Sequence, residues 1–388
     1  MTIGLVLPSV PGYSETFFRN KIIGLQQNGV EVILFVNNPK ETSDLCKVYN
    51  APQLSRHKML TFFNSAKALL KAVVIHPKRS LKFYRLERKD KRPFVHIIKS
   101  LIANQFILSK KLDWLHYGFG TMALDRENIA TAIGAKMAVS FRGFDYYVYP
   151  KKYIGCYHFL YSKNVTYHVL SDEMKKGLLE NGILEHKIMK ITPAIDLKFF
   201  KSNSKENNII QMSTIARLHW IKGLEYTLEA LALLKNENIS FHYTIIGDGV
   251  EKERLQFAAY QLGLSDCVTF AGKLSPEKVK NQLEQTDIYV QYSIQEGFCN
   301  AVLEAQAMGL LCVVSDAEGL SENVLDGKTG WVVPKRQPKL LAHKIKEVIA
   351  LDETEKQKIR QQAVERVQNN FNLKKQQQEF LDFYEITV

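Results

Sequence analysis

The chain has 388 residues, of which 46% are hydrophobic, 24% are charged and 11% are aromatic. This composition excludes a disordered chain, a collagen-like repeat and a small disulfide scaffold, and the length predicts two or three domains. The five cysteines include no C-x-x-C pair, which fits a reducing compartment better than a disulfide framework or a structural zinc site. No window is apolar enough to span a membrane, and the first residues read as a β-strand rather than a signal peptide, so we expect a cytoplasmic protein.

The net charge of +12 comes from one segment, because residues 56–112 contain fifteen Lys and Arg residues but only Glu87 and Asp90 as acids. Spacings of three and four residues predict five cations on one helix face, and Pro77 and Pro93 are expected to separate the helices. These cations are Lys78, Lys82, Arg85, Lys89 and Arg92. The segment predicts contact with an anionic membrane surface or an anionic lipid-linked substrate, with a solvated helical hairpin as the alternative. No zinc-finger or RNP pattern supports nucleic-acid binding.

Short β-branched runs alternate with helical stretches along the chain. Strands are predicted at 3–8, 31–37, 113–117, 136–141, 164–170, 188–192, 209–215, 241–247, 268–272, 287–293, 311–315 and 330–333. Helices are predicted at 15–28, in pieces of 57–110, at 122–133, within 151–161, and at 172–181, 222–235, 250–262, 276–285, 300–308, 320–325, 338–350 and 373–386. This alternation is typical of parallel sheets covered on both faces, so the predicted class is α/β with two doubly wound, Rossmann-like domains.

A polar run near 201–208 marks the boundary between the two predicted domains. We expect a first domain at 1–200, which includes the basic helical insertion 56–112, and a second domain at 201–370. Residues 371–388 then form a C-terminal helix. Ligands of such domains bind at the carboxyl ends of the strands.

Several common chemistries lack their motifs. The sequence has no H-E-x-x-H, no G-x-S-x-G and no D-x-D for a metal–diphosphate clamp. Gly327-Lys328-Thr329 resembles the end of a P-loop, but Glu322 stands where its first glycine is required. A hydrolase, a kinase and a dehydrogenase are therefore not indicated.

Two runs in the second domain follow predicted strands. Arg217 and Lys222 straddle a loop that enters a helix at Gly223, and a guanidinium fork beside a point cation suits a diphosphate. In the second run, Glu296 lies in a strand–helix turn and Glu304 lies in the helix, so their carboxylates are candidates to accept hydrogen bonds from sugar hydroxyls. Ordinary surface charges are the alternative for all four side chains.

The N-terminus of the helix in the second run is a further candidate for ligand binding, because the free N–H groups of residues 298–301 point toward the strand ends. Asn300 is expected to cap this helix.

The first domain contributes two turns and a histidine. Gly12 allows close backbone approach after the first strand, and the helix that begins near Ser14 offers free N–H groups. Arg142 follows another strand, and His116 lies at a strand end as a weaker candidate for acceptor contact. Connecting loops with a capped helix are the alternative for both turns.

These motifs occur in an order that resembles family-4 retaining glycosyltransferases. The order is Arg217-x4-Lys222-Gly, then Gly247-Asp-Gly249, then Glu296 and Glu304 with seven residues between them. The runs Pro-Gly-Tyr-Ser-Glu-Thr-Phe and Phe-Arg-Gly-Phe-Asp resemble the branch of colanic-acid and other exopolysaccharide glycosyltransferases. The resemblance covers nearly the whole chain.

The resemblance implies a GT-B fold, with two Rossmann-like domains facing a central cleft and the C-terminal helix crossing back to the first. The donor nucleotide would bind mainly to the second domain and the acceptor mainly to the first. Arg217 and Lys222 would hold the donor diphosphate, and Glu304 the ribose. Residues implied to act in catalysis are Arg217, Lys222, Glu296 and Arg142. Residues implied to bind the donor are Gly12, Ser14, Gly247, Gly249, Phe298, Cys299, Asn300 and Glu304.

Arg142 departs from the family pattern, which usually has His at this position. A guanidinium does not act as a base at neutral pH, so Arg142 is expected to hydrogen-bond a sugar hydroxyl or a phosphate instead.

The implied activity is metal-independent, retaining hexosyl transfer from a UDP- or GDP-linked sugar, with no separate cofactor. The expected acceptor is a lipid-linked saccharide. The expected process is the synthesis of a surface polysaccharide, exopolysaccharide or lipopolysaccharide, at the cytoplasmic face of the inner membrane. The alternatives are a GT-B nucleotide-sugar epimerase, a phosphorylase, or a non-catalytic subunit that binds membrane or partner proteins.

Overall fold

The structure is a computed structural model that describes residues 1–12, 16–38, 40–52, 75–200 and 209–386. The chain forms two compact units, one from Met1–Ile191 with Gln377–Val388 and the other from Thr192–Gln376. Each unit is built on one parallel β-sheet, which confirms the predicted α/β class. No helix among these residues is long and apolar enough to cross a membrane.

The sheet of the first unit has seven strands in the order β3-β2-β1-β4-β5-β6-β7, and every pair is parallel. The strand order reverses between β1 and β4, which is the topological switch point where ligands of such sheets bind. The strands are β1 (Thr2–Leu7), β2 (Glu31–Val36), β3 (Lys47–Asn50), β4 (Trp114–Tyr117), β5 (Lys136–Ser140), β6 (Val165–Val169) and β7 (Ile188–Lys190).

Helices of the first unit connect these parallel strands. In chain order they are α1 (Thr16–Gln27), α2 (Pro77–Lys89), α3 (Phe94–Leu108), α4 (Gly120–Ala123), α5 (Ile129–Ile133), α6 (Tyr149–Lys152), α7 (His158–Tyr161) and α8 (Asp172–Glu180). A π-helical turn occupies Phe144–Val148 and a 3-10 turn occupies Glu185–Lys187. Ser171 caps α8 by accepting a hydrogen bond from the backbone of Met174.

The basic segment forms α2 and α3 where it is described, and residues 56–74 lie outside the described residues. Pro77 is the first residue of α2 and Pro93 precedes α3, as predicted. Four of the five cations are exposed on α2, namely Lys78, Lys82, Arg85 and Lys89. The prediction is wrong for Arg92. The chain leaves the helix through Lys91, whose φ is 59°, and Arg92 turns inward to pair with Asp125 and Glu127.

The sheet of the second unit has six parallel strands in the order β10-β9-β8-β11-β12-β13. Its strand order reverses between β8 and β11, which gives this unit a switch point of its own. The strands are β8 (Ile210–Ile215), β9 (Phe241–Ile246), β10 (Val268–Gly272), β11 (Ile288–Gln291), β12 (Leu311–Ser315) and β13 (Trp331–Val333).

Helices again follow the strands in the second unit. They are α9 (Leu224–Asn236), α10 (Lys252–Gln261), α11 (Pro276–Glu284), α12 (Asn300–Ala307), α13 (Pro338–Ala350) and α14 (Glu353–Asn370), with 3-10 turns at Trp220–Lys222 and Glu318–Leu320. Alternate strand residues enter two different cores: Ile288 and Val290 pack with α9 and α13, whereas Tyr289 packs with α12. Both faces of the sheet are therefore buried, as the continuous apolar runs predict.

The last helix, α15 (Leu373–Phe383), brings the chain end to the first unit. Its apolar residues join the core that contains β1 and α1. These residues are Phe380, Leu381, Phe383 and Tyr384. The sequence predicts these four residues and Leu373 to be buried in this helix, and Leu373 is instead half-buried.

Three elements differ from the predictions. The sequence pattern misses β3, a short edge strand that pairs only with β2. The helix predicted at 122–133 is two short helices, since Asp125 between them has a left-handed φ of 59°. The helix predicted at 320–325 is only the 3-10 turn Glu318–Leu320.

Candidate functional site

Two loops of the second unit leave adjacent strands at the switch point. The 216–223 loop follows β8 and the 292–299 loop follows β11, and Met212 and Ser213 of β8 pair with Ile288 and Tyr289 of β11. Carboxyl ends of parallel strands meet at one edge of the sheet. The two runs that the sequence marks as candidates therefore lie side by side.

Gly247 and Gly249 lie against the first of these loops. A Cβ at Gly247, whose φ is 140°, would lie 1.9 Å from the carbonyl oxygen of Ala216, and one at Gly249 would lie 2.3 Å from that of Leu218. The backbone N–H of Leu218 donates to the carbonyl oxygen of Asp248 at 3.0 Å. The close packing of these two backbones therefore requires both glycines. Contact of Gly247 and Gly249 with the donor stays a prediction.

Lys222 ends the 3-10 turn Trp220–Lys222, and the left-handed Gly223 is the N-cap residue of α9. A Cβ at Gly223 would lie 2.2 Å from the carbonyl oxygen of Tyr292, so only glycine lets the two loops approach this closely. The ammonium group of Lys222 pairs with the carboxylate of Glu296, and the two side chains are only 14% and 13% exposed. Burial by itself lowers the pKa of Lys222, but the Glu296 carboxylate outweighs it and raises the pKa. Lys222 therefore stays charged.

Arg217 lies at the start of the same loop and is exposed. Its positive charge repels that of Lys222 and acts to lower the pKa of the lysine. Within the part of the chain that the structure describes, no carboxylate lies within ion-pair distance of its guanidinium. The group therefore offers its donors to an anion near Lys222.

Two hydrogen bonds fix the backbone of Glu296. Its N–H donates to the carboxylate of Glu318 at 3.2 Å, and its carbonyl oxygen accepts from the N–H of Gly319 at 3.1 Å. The Glu318 carboxylate also accepts from Lys335 at 2.8 Å, and the hydroxyl of Ser293 donates to the Glu296 carboxylate at 3.4 Å. Sequence reasoning missed Glu318 and Lys335, because they are far along the chain and belong to no local motif.

The start of α12 is described through Phe298, Cys299 and Asn300. Cys299 is the N-cap residue and Asn300 is the first helical residue, so the prediction that Asn300 caps the helix is wrong. The side chain of Asn323 instead binds the backbone at the start of this helix. It accepts from the N–H of Cys299 and donates to the carbonyl of Cys299, both at 3.0 Å. Burial raises the pKa of the Cys299 thiol to about 12, which makes it inert.

Glu304 lies on α12, more than one turn from its start, and is partly buried. Burial raises the pKa of its carboxyl group to about 7. Carboxyl groups rarely titrate near neutral pH, and groups with such shifted pKa values concentrate at functional sites.

In the first unit, the predicted residues are spread around the strand ends. Gly12 is exposed, and a Cβ there would meet nothing within 4 Å, so the fold itself does not require a glycine. Ser14 lies outside the described residues. The Arg142 guanidinium lies over the rings of Phe17 and Phe18, 4.1 and 4.4 Å from their centroids.

The turn that carries Arg142 is fixed by Asp145. This buried carboxylate accepts from the N–H of Arg142 at 2.9 Å and from that of Gly120 at 2.5 Å. Burial raises the pKa of Asp145 to about 7. The backbone at Arg142 is therefore tied to the loop after β4.

His116 has a structural position. It is fully buried, and its ring lies 2.5 Å from the hydroxyl of Tyr384, 2.7 Å from that of Ser140 and 3.1 Å from the amine of Lys21. Of the two roles that the sequence leaves open for His116, the structure supports the structural one over acceptor contact, because a fully buried ring with these partners does not reach a ligand. Among the described residues, no group of three His, Cys, Asp or Glu side chains could hold a metal ion.

The comparisons with known proteins agree with this architecture. Residues 195–366 match the family model described as Glycosyl transferases group 1. The chain is 25% identical to the putative colanic acid biosynthesis glycosyltransferase WcaL of Escherichia coli K12, over 96% of each chain. It is 24% identical to the amylovoran biosynthesis glycosyltransferase AmsK of Erwinia amylovora, over 86% of each chain.

Solved structures resemble the whole chain. Sucrose-phosphate synthase from Thermosynechococcus elongatus superposes with a TM-score of 0.74 at 18% identity, covering 99% of this chain and 98% of that one. Anabaena HepE in complex with UDP has a TM-score of 0.74 at 15% identity and covers 99% of both chains. At these identities the likeness shows the fold, which is GT-B. This GT-B protein therefore contains a glycosyltransferase domain of group 1, at residues 195–366.

Proposed function

We propose that this protein transfers a sugar from a nucleoside-diphosphate donor to a saccharide acceptor, with retention at the anomeric carbon. The observation that carries the proposal is the pair formed by Lys222 and Glu296 at the switch point of the second sheet. A fixed cation beside a fixed carboxylate suits a donor in which a diphosphate is joined to a polyhydroxylated ring. The cation faces the phosphate oxygens and the carboxylate accepts from sugar hydroxyls.

In this proposal Arg217 and Lys222 bind the donor diphosphate, and Glu304 accepts a hydrogen bond from the ribose. The backbone N–H groups of Phe298 and Asn300 face the sugar, whereas that of Cys299 already donates to Asn323. The complex of Anabaena HepE with UDP supports a nucleotide donor, which we propose to be UDP- or GDP-linked.

The reaction we propose forms a bond between the acceptor oxygen and the anomeric carbon and breaks the bond from that carbon to the diphosphate. The acceptor proton passes to the leaving phosphate oxygen on the same face of the sugar. Catalysis then consists of positioning and of charge stabilisation by Arg217 and Lys222. Since the sequence has no D-x-D motif, we propose that these two cations neutralise the leaving group without a metal.

The names of WcaL and AmsK support a place in exopolysaccharide biosynthesis. We propose a lipid-linked saccharide as the acceptor, bound mainly by the first unit. The exposed cations of α2 support contact with an anionic membrane surface at the cytoplasmic face of the inner membrane.

The first experiment is calorimetric titration of the full-length protein with UDP, GDP and ADP, followed by product analysis with the matching nucleotide sugars. We expect one nucleotide to bind, and Lys222→Ala to lose that binding. Lys235→Ala is the matched control, because it removes an exposed ion pair of the same unit, with Asp266. Equal binding by wild type and Lys222→Ala contradicts the site, and a product formed without any acceptor indicates an epimerase instead.

A further inference from the structure

The first unit contains a cavity of about 390 Å³ at the carboxyl edge of its sheet. Asn37, which follows β2, and Thr121 and Met122, which follow β4, form part of its wall. These two strands flank β1, so the cavity spans the switch point, where ligands of doubly wound sheets bind. The other side of the cavity is formed by α3 and by the segment around Asp125.

Arg126 is the central side chain of this cavity. Its Nε donates to Asn104 at 2.9 Å, one terminal nitrogen donates to Asn37 at 3.1 Å, and the other to the carbonyl of Met122 at 3.5 Å. A guanidinium has five N–H groups. One N–H on each terminal nitrogen is therefore left without an acceptor among the described residues. Both N–H groups lie in the plane of the guanidinium and can donate to the oxygens of a phosphate or a carboxylate.

No carboxylate of the described residues lies within ion-pair distance of Arg126. Burial lowers the pKa of its guanidinium, and the charge of the neighbouring Asp125 opposes this effect. The Asp125 carboxylate makes its closer contacts elsewhere, 3.3 Å from Arg92 and 3.6 Å from His96. A half-buried cation without an ion pair of its own is stabilised when an anion binds beside it.

Two groups of α3 also line the cavity. Lys99 is exposed at its wall and adds a positive charge. The buried Nε2 of His96 makes no hydrogen bond, and the Asp125 carboxylate lies 3.6 Å from it. Arg126, Lys99 and His96 come from two separate elements and converge on one space, whose volume accommodates a phosphate group or one sugar ring.

We propose that this cavity binds an anionic group of the acceptor, which is either a phosphate of a lipid carrier or the carboxylate of an acidic sugar. Arg126 holds the anion with its two remaining N–H groups, and Lys99 and His96 complete the site. The inference rests on the proposed function, because it names the chemical class of the acceptor.

The test is calorimetric titration of the full-length protein, saturated with whichever of UDP, GDP and ADP it binds, so that the donor site does not bind the added anion. Isopentenyl diphosphate represents a lipid-linked phosphate, and methyl glucuronide represents an acidic sugar. We expect one of them to bind, and Arg126→Gln and Lys99→Gln each to weaken it by about tenfold or more, since a hydrogen bond to a charged group is lost. Lys151→Gln, at an exposed site outside the cavity wall, should bind as wild type does.

The outcomes separate the sources and the two proposals. Binding of isopentenyl diphosphate supports the lipid phosphate, and binding of methyl glucuronide supports the acidic sugar. No binding of either compound, or equal binding in the Arg126 and Lys99 variants, overturns the inference. Since Lys99 is exposed, its variant keeps the test decisive even where Arg126→Gln does not fold. Failure of the proposed function appears separately, as a protein that binds no nucleotide.

Discussion

Lys222 and Glu296 are 74 residues apart in the chain, yet they form an ion pair between the loops that follow β8 and β11. Gly223 lets these loops approach, and Glu318 and Gly319 fix the backbone of Glu296. The fold itself therefore holds the two charges in place next to each other. Such preorganised charge is what stabilises a leaving diphosphate most effectively.

Removal of this cation or carboxylate should reduce turnover far more than it reduces stability. We expect Lys222→Ala and Glu296→Gln each to lower kcat by about 10²–10³-fold, the loss found when one preorganised donor is removed. Initial rates with the donor nucleotide sugar and thermal unfolding of each variant provide the measurement. The site assignment fails if Lys222→Ala keeps the activity of Lys235→Ala, which removes only an exposed ion pair.

Glu304 should make the stability of the protein depend on pH in a defined window. Burial raises its pKa to about 7, whereas an unfolded Glu titrates near 4.3. Between these values the native state holds a proton that the unfolded state has lost, so stability falls as pH rises through the window. Glu304→Gln removes this penalty. We expect its unfolding midpoint to exceed that of wild type by a few degrees at pH 8 and by little at pH 4.

The matched control for Glu304 is Glu277→Gln, an exposed carboxyl group of the same unit. Its midpoint should follow the wild-type pH profile. Identical profiles for Glu304→Gln and wild type between pH 4 and 8 would show that Glu304 has an ordinary pKa.

The buried histidines of the first unit predict acid sensitivity. His116 and His168 lie in one network with Lys21, Ser140 and Tyr384. Burial, with the charges of Lys21 and Arg142, lowers the pKa of both histidines well below 6.5. Unfolded histidines take up protons near pH 6.5 that the native state does not accept, so stability falls as the pH drops below that value.

The variant that tests this network is His116→Gln, which removes one of the two titrating rings. We expect a smaller difference between its unfolding midpoints at pH 7.5 and pH 5 than in wild type. His186→Gln, at an exposed histidine of the same unit, should keep the wild-type difference. An unchanged difference in His116→Gln would mean that another group is responsible for the acid sensitivity.

The sequence predicts the sheets well because their strands are apolar runs separated by helical patterns. It fails where a non-local contact decides the conformation. β3 exists because its edge pairs with β2, and Arg92 turns inward because Asp125 and Glu127 attract it. Neither contact leaves a periodic pattern in the local sequence.

In the candidate site, too, the sequence predicts what local motifs mark and misses what depends on non-local contacts. Arg217, Lys222, Glu296 and Glu304 belong to two runs that follow strands, but the runs alone left ordinary surface charges as an alternative. The order of the motifs, which resembles family-4 glycosyltransferases, singled the four residues out. Spacing did not find the Glu318–Lys335 pair that holds Glu296, nor the cavity around Arg126, because both depend on residues from separate loops. Supporting contacts of this kind become visible only when the tertiary structure is known.

The exposed cations of α2 predict electrostatic binding to anionic membranes. Lys78, Lys82 and Arg85 lie on the solvent side of the helix, and each Lys or Arg near an anionic surface contributes about 1 kcal/mol. Reversal of all three charges to Glu should therefore weaken binding to vesicles of phosphatidylglycerol and phosphatidylethanolamine by at least about a hundredfold. Vesicle co-sedimentation at increasing salt measures the effect, and the wild-type binding should decrease as salt screens the charges.

The control for this prediction must change the net charge equally without changing α2. Lys273→Glu, Lys278→Glu and Lys328→Glu reverse three exposed lysines of the second unit. If binding depends on the local face rather than on total charge, this triple variant retains most of the wild-type affinity. Equal losses in the two triple variants would assign the binding to net charge alone, and no loss in either would exclude α2 as a membrane contact.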